Sequence, residues 1–279
     1  MRPLEVGVFS SSLAIPDPVE ALRKAKEIGI NVVQIGPLPE EWYGPEGTER
    51  IKKAVEELEL EVSAVCVAYK GEDYSDMESV RGTVGLTNPD FLPERMEHTK
   101  RVVDFTRALG VDKITLHIGV IPRDRGTLEY KRLLDVAKEV ADYCGEREIT
   151  FALETGQETA EEQREFIERV DRPNVKVNFD PANMILYGTG RPVEAIEVLG
   201  PYIVHTHAKD GKWPTEEGKL GEEVPLGEGE VDVPAYVRKL YEVGYRGPLV
   251  IEREAGADRI GDILKGKELL ERIVAELPL

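Results

Sequence analysis

Thr150-Phe-Ala-Leu-Glu154, Val175-Lys-Val-Asn-Phe-Asp180, Tyr202-Ile-Val-His-Thr-His207 and Pro248-Leu-Val-Ile-Glu252 are four short apolar runs in the second half of the chain. Each has the length of a buried strand, and each ends on a side chain able to bind a metal ion. The stretches between them read as helices. Strands that alternate with helices pair in parallel. In a parallel β/α barrel every strand C-terminus meets at one face, so Glu154, Asp180, His207 and Glu252 converge there.

The first half repeats the alternation. Apolar runs at residues 4–9, 31–35, 61–67 and 113–117 are strands one to four. Asp17 caps the first helix, with Pro18 at its first position, and Gly29 stops it. Ile51, Ala54, Val55 and Leu58 give residues 48–60 a helical period. Residues 93–109 and 127–144 are further helices. A polar stretch at 69–91 reads as a long loop on the barrel's C-terminal face, and residues 209–231 form a second insertion, rich in Gly and charge. The fifth to eighth strands are followed by helices at 160–170, 192–199, 233–243 and 260–277. Eight such units within 279 residues predict one (β/α)8 TIM barrel domain, residues 1–279.

An apolar fraction of 41% is enough for a full core, and the formal charge of -18 argues against a nucleic-acid partner, whose phosphates need a cationic surface. No apolar run is long enough to span a bilayer, and the N-terminus has no secretory pattern, so a cytoplasmic protein is expected. Cys66 and Cys144 share no metal or redox spacing, and Cys66 reads as a small core residue.

Three carboxylates and one imidazole suit a single hard or borderline divalent ion: Mn2+ first, with Co2+, Mg2+ or Zn2+ as alternatives. A lone strand-end acid is more often a helix cap or a solvated loop residue. Three of them and a histidine, closing four consecutive strands, are hard to obtain by accident. His205 and His207 lie two apart on one strand and point the same way, so periodicity does not choose between them.

The set Leu153-Glu154, Phe179-Asp180-Pro-Ala-Asn183, His205-Thr-His207-Ala-Lys209-Asp210, Gly227-Glu-Gly229 and Glu252 resembles the xylose isomerase-like TIM-barrel superfamily. Within it, the closest likeness is to the sugar phosphate isomerase/epimerase group, and it covers nearly the whole chain. The resemblance selects His207 over His205 and implies Glu154, Asp180, His207 and Glu252 as metal ligands. It also implies Glu154 and Glu252 as an acid/base pair.

That chemistry has its own physical sense. A proton α to a carbonyl is too weakly acidic to leave at neutral pH unless the developing enediolate is stabilised. Two carboxylates on opposite faces of a sugar can then remove the proton from one side and return it on the other. Each positioned base contributes roughly 10²–10⁴-fold.

His117, at the end of the fourth strand, Asn183 and Lys209 are candidate substrate contacts. Trp42, Tyr69 and Trp213, in C-terminal-face loops, are candidate walls of a sugar pocket. Arg123, Arg125 and Arg253 read as surface cations, and the Gly227-Glu-Gly229 run as a tight turn.

The expected function is epimerisation or aldose-ketose isomerisation of a small sugar or sugar derivative. A metal-dependent dehydratase acting on a keto-sugar, an inosose or a dehydroshikimate-like substrate is the alternative, and a non-catalytic metal-binding barrel stands third. Endonuclease activity comes last, because Gly221 and Glu223 stand where endonuclease IV would present further metal ligands. Relatives that form dimers or tetramers make a homo-oligomer an expectation by analogy.

Overall fold

The computed structural model describes residues 3–216 and 218–278. Met1 and Arg2, which the sequence reading runs into the first strand, lie outside them, as do Glu217 of the second insertion and Leu279. Seven parallel strands come first: Val6–Phe9 (β1), Val32–Ile35 (β2), Glu61–Val67 (β3), Lys113–Leu116 (β4), Thr150–Glu154 (β5), Val175–Phe179 (β6) and Ile203–Ala208 (β7). An antiparallel hairpin, Asp210–Lys212 (β8) and Glu222–Val224 (β9), interrupts the alternation. The eighth barrel strand is Leu249–Ile251 (β10), which pairs with both β7 and β1 and closes the ring. This is the TIM barrel that the alternation predicts.

The helices follow local signals. Pro18–Glu27 (α1) starts where Asp17 Oδ1 accepts from the N–H groups of Val19 and Glu20. Pro45–Glu57 (α2) begins three residues before the predicted start, because Pro45 is pre-set for the first helical position. The predicted loop at 69–91 contains a helix, Met77–Thr83 (α3), capped by Asp76. It escapes a periodicity reading because it spans two turns and buries only Val80. Leu92–Ala108 (α4) and Leu128–Gly145 (α5) match expectation closely. Ala160–Val170 (α6) opens with a capping box between Thr159 and Glu162. Pro181–Leu186 (α7) is a short extra helix before Pro192–Leu199 (α8). Val233–Glu242 (α9) and Arg259–Ala275 (α10) complete the outer ring.

The apolar core lies between the helices and the outer faces of the strands. Leu22, Ile51, Val103, Val140, Ile167 and Leu240 are buried there with Val8, Val33 and Ile114 in one contiguous cluster. Burying each such side chain contributes roughly 1.5–3 kcal/mol. The interior of the barrel is different. Gln34, Ser63, Thr115, Asn178 and His205 lie within it, none more than 3% exposed. Register sets some of them side by side: Glu154 is opposite Asn178, and Asn178 is opposite His205. This buried polar layer is the floor of the functional site.

Candidate active site

Glu154 is the last residue of β5, and Asp180 follows β6. His207 lies near the end of β7, and Glu252 follows β10. Their four candidate ligand atoms all lie within 4.8 Å of one another. His207 Nδ1 is the hub, 3.0 Å from Glu252 Oε2, 3.3 Å from Glu154 Oε1 and 3.4 Å from Asp180 Oδ2.

The scaffold holds the far side of two of these groups. Asp180 Oδ1 accepts from the N–H of Asn183 at 3.0 Å, capping α7, which leaves Oδ2 for the site. His207 Nε2 lies 2.7 Å from the Oε1 of Gln34. An amide oxygen only accepts, so in this shorter contact Nε2 carries the proton, and Asn178 Nδ2, 3.3 Å away, does not donate to it. Asp180 Oδ2 and His207 Nδ1 are then buried with no well-aligned hydrogen-bond partner among the described residues.

Buried polar atoms are rarely left unsatisfied, and a divalent cation would satisfy both. Burial alone would push the His207 imidazole down, but Glu252 and Glu154 lift it well above its ordinary value. The site is thus built to hold positive charge beside Nδ1. The donor set, three carboxylate oxygens and one imidazole nitrogen, fits a hard or borderline divalent ion.

The two glutamates have distinct surroundings. Burial pushes Glu154 up, but His117 and His207 outweigh it and hold the carboxyl below its ordinary value. Its Oε1 also accepts from Asn183 Nδ2 at 3.1 Å, with His117 Nε2 3.5 Å away. Glu252 is likewise pushed up by burial and pulled below its ordinary value by His207 and Lys209. Lys209 Nζ donates to Glu252 Oε2 at 3.1 Å and to Glu254 Oε2 at 2.7 Å. His117, Asn183 and Lys209, all predicted from sequence, therefore lie at the site. Two of them touch the glutamates directly, and His117 stands just beyond hydrogen-bond length.

A cavity of about 580 Å³ opens above these groups, and its wall includes Phe9, Tyr74, Tyr187, Leu186, Cys66 and Glu223. The three predicted aromatic walls are elsewhere. Trp42 is buried in a 3-10 turn, with the Arg50 guanidinium 4.1 Å from its ring centre. Tyr69 turns away while its neighbour Ala68 lines the cavity, and its hydroxyl bonds Thr99 Oγ1 on α4 at 2.7 Å. Trp213, beyond the end of β8, is 36% exposed and outside the cavity wall. Their places are taken by Tyr74, whose ring centre is 6.0 Å from that of His117, and by Tyr187 and Phe9. The ring of Phe9 stacks on His207, with centroids 5.8 Å apart. Cys66 is buried as expected, but it faces the cavity, and burial raises its thiol.

Beneath the site His205 is fully buried and held neutral, its pKa pushed well down by burial and by His207. Its Nδ1 donates to Asn178 Oδ1 at 2.8 Å, so Nε2 accepts from Ser63 Oγ at 3.0 Å. His205 is therefore part of the floor rather than of the candidate ligand set. Gln34, Thr115, Ser63 and Asn178 escaped the sequence reading. Their signal is an uncharged polar residue inside an apolar strand, as in Val32-Val-Gln-Ile35.

The second insertion is tied down by Asp210. Its carboxylate accepts from the N–H groups of Gly211, Gly227, Gly229 and Val231 at 2.8 to 3.0 Å. The Gly227-Glu-Gly229 turn wraps this carboxylate. Gly227 has φ +91°, and a Cβ on Gly229 would collide with Asp210 Oδ1. Of the predicted surface cations, Arg123 is exposed and Arg125 pairs with Glu165. Arg253 is buried, bonded to Glu223 and Asp262, because the hairpin folds over it.

Comparison with known proteins places this arrangement in a family. The crystal structure of a xylose isomerase domain protein from Planctomyces limnophilus superposes with a TM-score of 0.88 at 33% identity, covering 98% of this chain and 96% of that one. The L-ribulose-5-phosphate 3-epimerase UlaE of Shigella sonnei is 21% identical over 99% of this chain and 96% of its own length. An uncharacterized protein of Methanocaldococcus jannaschii is 32% identical over 116 residues, 40% of this chain and 36% of its own. The family model described as xylose isomerase-like TIM barrel matches residues 22–273, and the chain belongs to that family.

Proposed function

We propose that the protein is a divalent-metal-dependent isomerase that epimerises, or interconverts aldose and ketose forms of, a small sugar or sugar derivative through an enediolate. The observation that carries this reading is the placement of Glu154 and Glu252. The two carboxylates approach His207 Nδ1 from β5 and β10, strands well separated around the ring, at the floor of a sugar-sized cavity. A likeness to proteins named as epimerases supports the same class.

Glu154, Asp180, His207 and Glu252 would hold the ion, which supplies Lewis acidity to a carbonyl and its adjacent hydroxyl when bound. Mn2+ is the first candidate. The chain's own groups do the rest. Glu154 and Glu252 are held ionised by His117, His207 and Lys209, so one can remove an α-proton and the other can return a proton at the opposite face. Asn183 fixes the rotamer of Glu154, and Lys209 fixes that of Glu252. Phe9, Tyr74 and Tyr187 cover the apolar faces of the sugar and exclude water.

The test is a pair of substitutions. Glu154→Gln and Glu252→Gln should each lower turnover by roughly 10²-fold or more while leaving the fold intact. A variant carrying both changes with full activity would overturn the mechanism.

A further inference from the structure

A second cavity, of about 350 Å³, lies beside the first and shares Pro37 and Ala68 with it. Its wall includes Tyr69, Lys70, Phe91, Arg95, His98 and Arg101. Arg95, on α4, is 4% exposed.

Among the described residues three lysine or arginine side chains are buried: Arg95, Lys209 and Arg253. Lys209 pairs with Glu252, Glu254 and Glu223, and Arg253 with Glu223 and Asp262. Arg95 has no carboxylate within ion-pair distance among the described residues. Its Nη1 donates to the carbonyl of Gly85, and its Cζ lies 5.0 Å and 4.9 Å from the ring centres of Tyr69 and Phe91. The rings soften the burial of the charge, and its remaining N–H groups donate to no acceptor among the described residues. A buried cation with no carboxylate beside it is costly, and a guanidinium fork matches an oxyanion.

The surroundings point the same way. Glu40 is already taken up by Arg101, 3.2 Å away, and by His98 Nδ1, 2.7 Å away. Neither ring nitrogen of His98 makes a well-aligned hydrogen bond, although the residue is 8% exposed. Lys70 stands exposed at the rim, and Glu94 is the remaining acid in the wall. In a chain of net charge -18 this wall carries three cations, Lys70, Arg95 and Arg101, against two acids, Glu40 and Glu94.

We infer that this second cavity is an oxyanion site that takes the phosphoryl group of a small molecule, with Arg95 at its base and Arg101, His98 and Lys70 around it. The site stands apart from the chemistry proposed at Glu154 and Glu252, and the phosphate titration that tests it does not depend on that chemistry.

The experiment is a 31P NMR titration of the full-length protein with inorganic phosphate. Wild type should show one saturable site with a Kd below about 10 mM. Arg95→Met should abolish it, and Lys70→Glu, at an exposed position that leaves the fold alone, should weaken it by about fivefold or more. Asp180→Asn, in the candidate metal centre, should leave it unchanged. No saturable binding in wild type, or binding that survives both Arg95→Met and Lys70→Glu, would overturn the inference. If Arg95→Met fails to fold, Lys70→Glu decides alone.

A second arm identifies the source of the phosphoryl group. A rise in KM in Lys70→Glu for a phosphorylated sugar, but not for its unphosphorylated counterpart, assigns the site to the substrate. Unchanged KM for both, with phosphate binding still weakened, assigns it to a separate phosphorylated ligand.

Discussion

His207 Nε2 lies 2.7 Å from Gln34 Oε1, and Gln34 Nε2 in turn donates to Thr115 Oγ1 at 2.9 Å. All three residues are essentially inaccessible to solvent. The amide therefore fixes both the ring orientation and the tautomer of the histidine, and turns Nδ1 toward the three carboxylates. Groups that orient a metal-binding histidine typically contribute 10–100-fold in metal affinity.

Gln34→Leu should accordingly weaken Mn2+ binding by about 10–100-fold. Gln34→Glu, which keeps an acceptor at the same place, should recover most of the loss. Calorimetric titration with Mn2+ checks both. Equal affinity in wild type and Gln34→Leu would remove Gln34 from the account.

Asp210 gathers four backbone N–H groups from residues 211–231. Hydrogen bonds to a charged acceptor contribute about 1.5–3 kcal/mol each when intact. Asp210→Ala should lower the unfolding free energy by roughly 2–4 kcal/mol, since water replaces part of what is lost. It should also expose the insertion to limited proteolysis near residues 213–220. Circular dichroism should still report the barrel. An insertion as resistant to protease as in wild type would contradict this role.

Glu158, buried after β5, has its carboxyl pushed up to about 8 by burial. The folded protein therefore keeps that proton in a pH range where the unfolded chain has lost it. Bound protons are more numerous in the folded state there, so stability falls as pH rises. The contribution is fully present below the ordinary carboxylate pKa and is lost as pH climbs through about 8. Glu158→Gln should flatten this part of the Tm–pH curve and raise Tm at alkaline pH. Parallel curves for the two proteins would show that Glu158 does not titrate in this way.

Burial and two histidines act on Glu154 in opposite senses, and His117 is the first of the opposing charges. His117→Ala should therefore reduce turnover more than it reduces Mn2+ affinity, because the ring stands 3.5 Å from Glu154 without joining the candidate ligand set. Comparing kcat with the Mn2+ Kd in this variant checks the point. A loss confined to metal affinity would instead make His117 a part of the metal centre.

The strand order and the four converging residues were legible because each rests on a local pattern. Apolar runs of strand length end on Glu154, Asp180, His207 and Glu252, and barrel topology does the rest. Gln34 and Thr115 were not, because a polar residue in a short apolar strand has no stated direction until the barrel closes around it. The aromatic walls failed for a related reason. Ala68 and Tyr69 are neighbours on one loop, and only the packing against α4 decides which faces the cavity. Tyr74 and Tyr187 sit beside a short helix in the long loop and after α7, two elements too short to produce a helical period. Arg253 read as a surface residue because the hairpin that buries it is contributed by residues 30 positions away.

Proton exchange at carbon is the most direct test. The Mn2+-loaded protein would be incubated in D2O with ketoses, aldoses, inososes and keto-acids, and the products weighed by mass spectrometry. The mechanism predicts a sugar that gains one deuterium without losing water, with the label on the carbon whose configuration or oxidation state changes. A product lighter by one water would assign a lyase, and no exchange with any substrate despite bound metal would contradict proton transfer by Glu154 and Glu252.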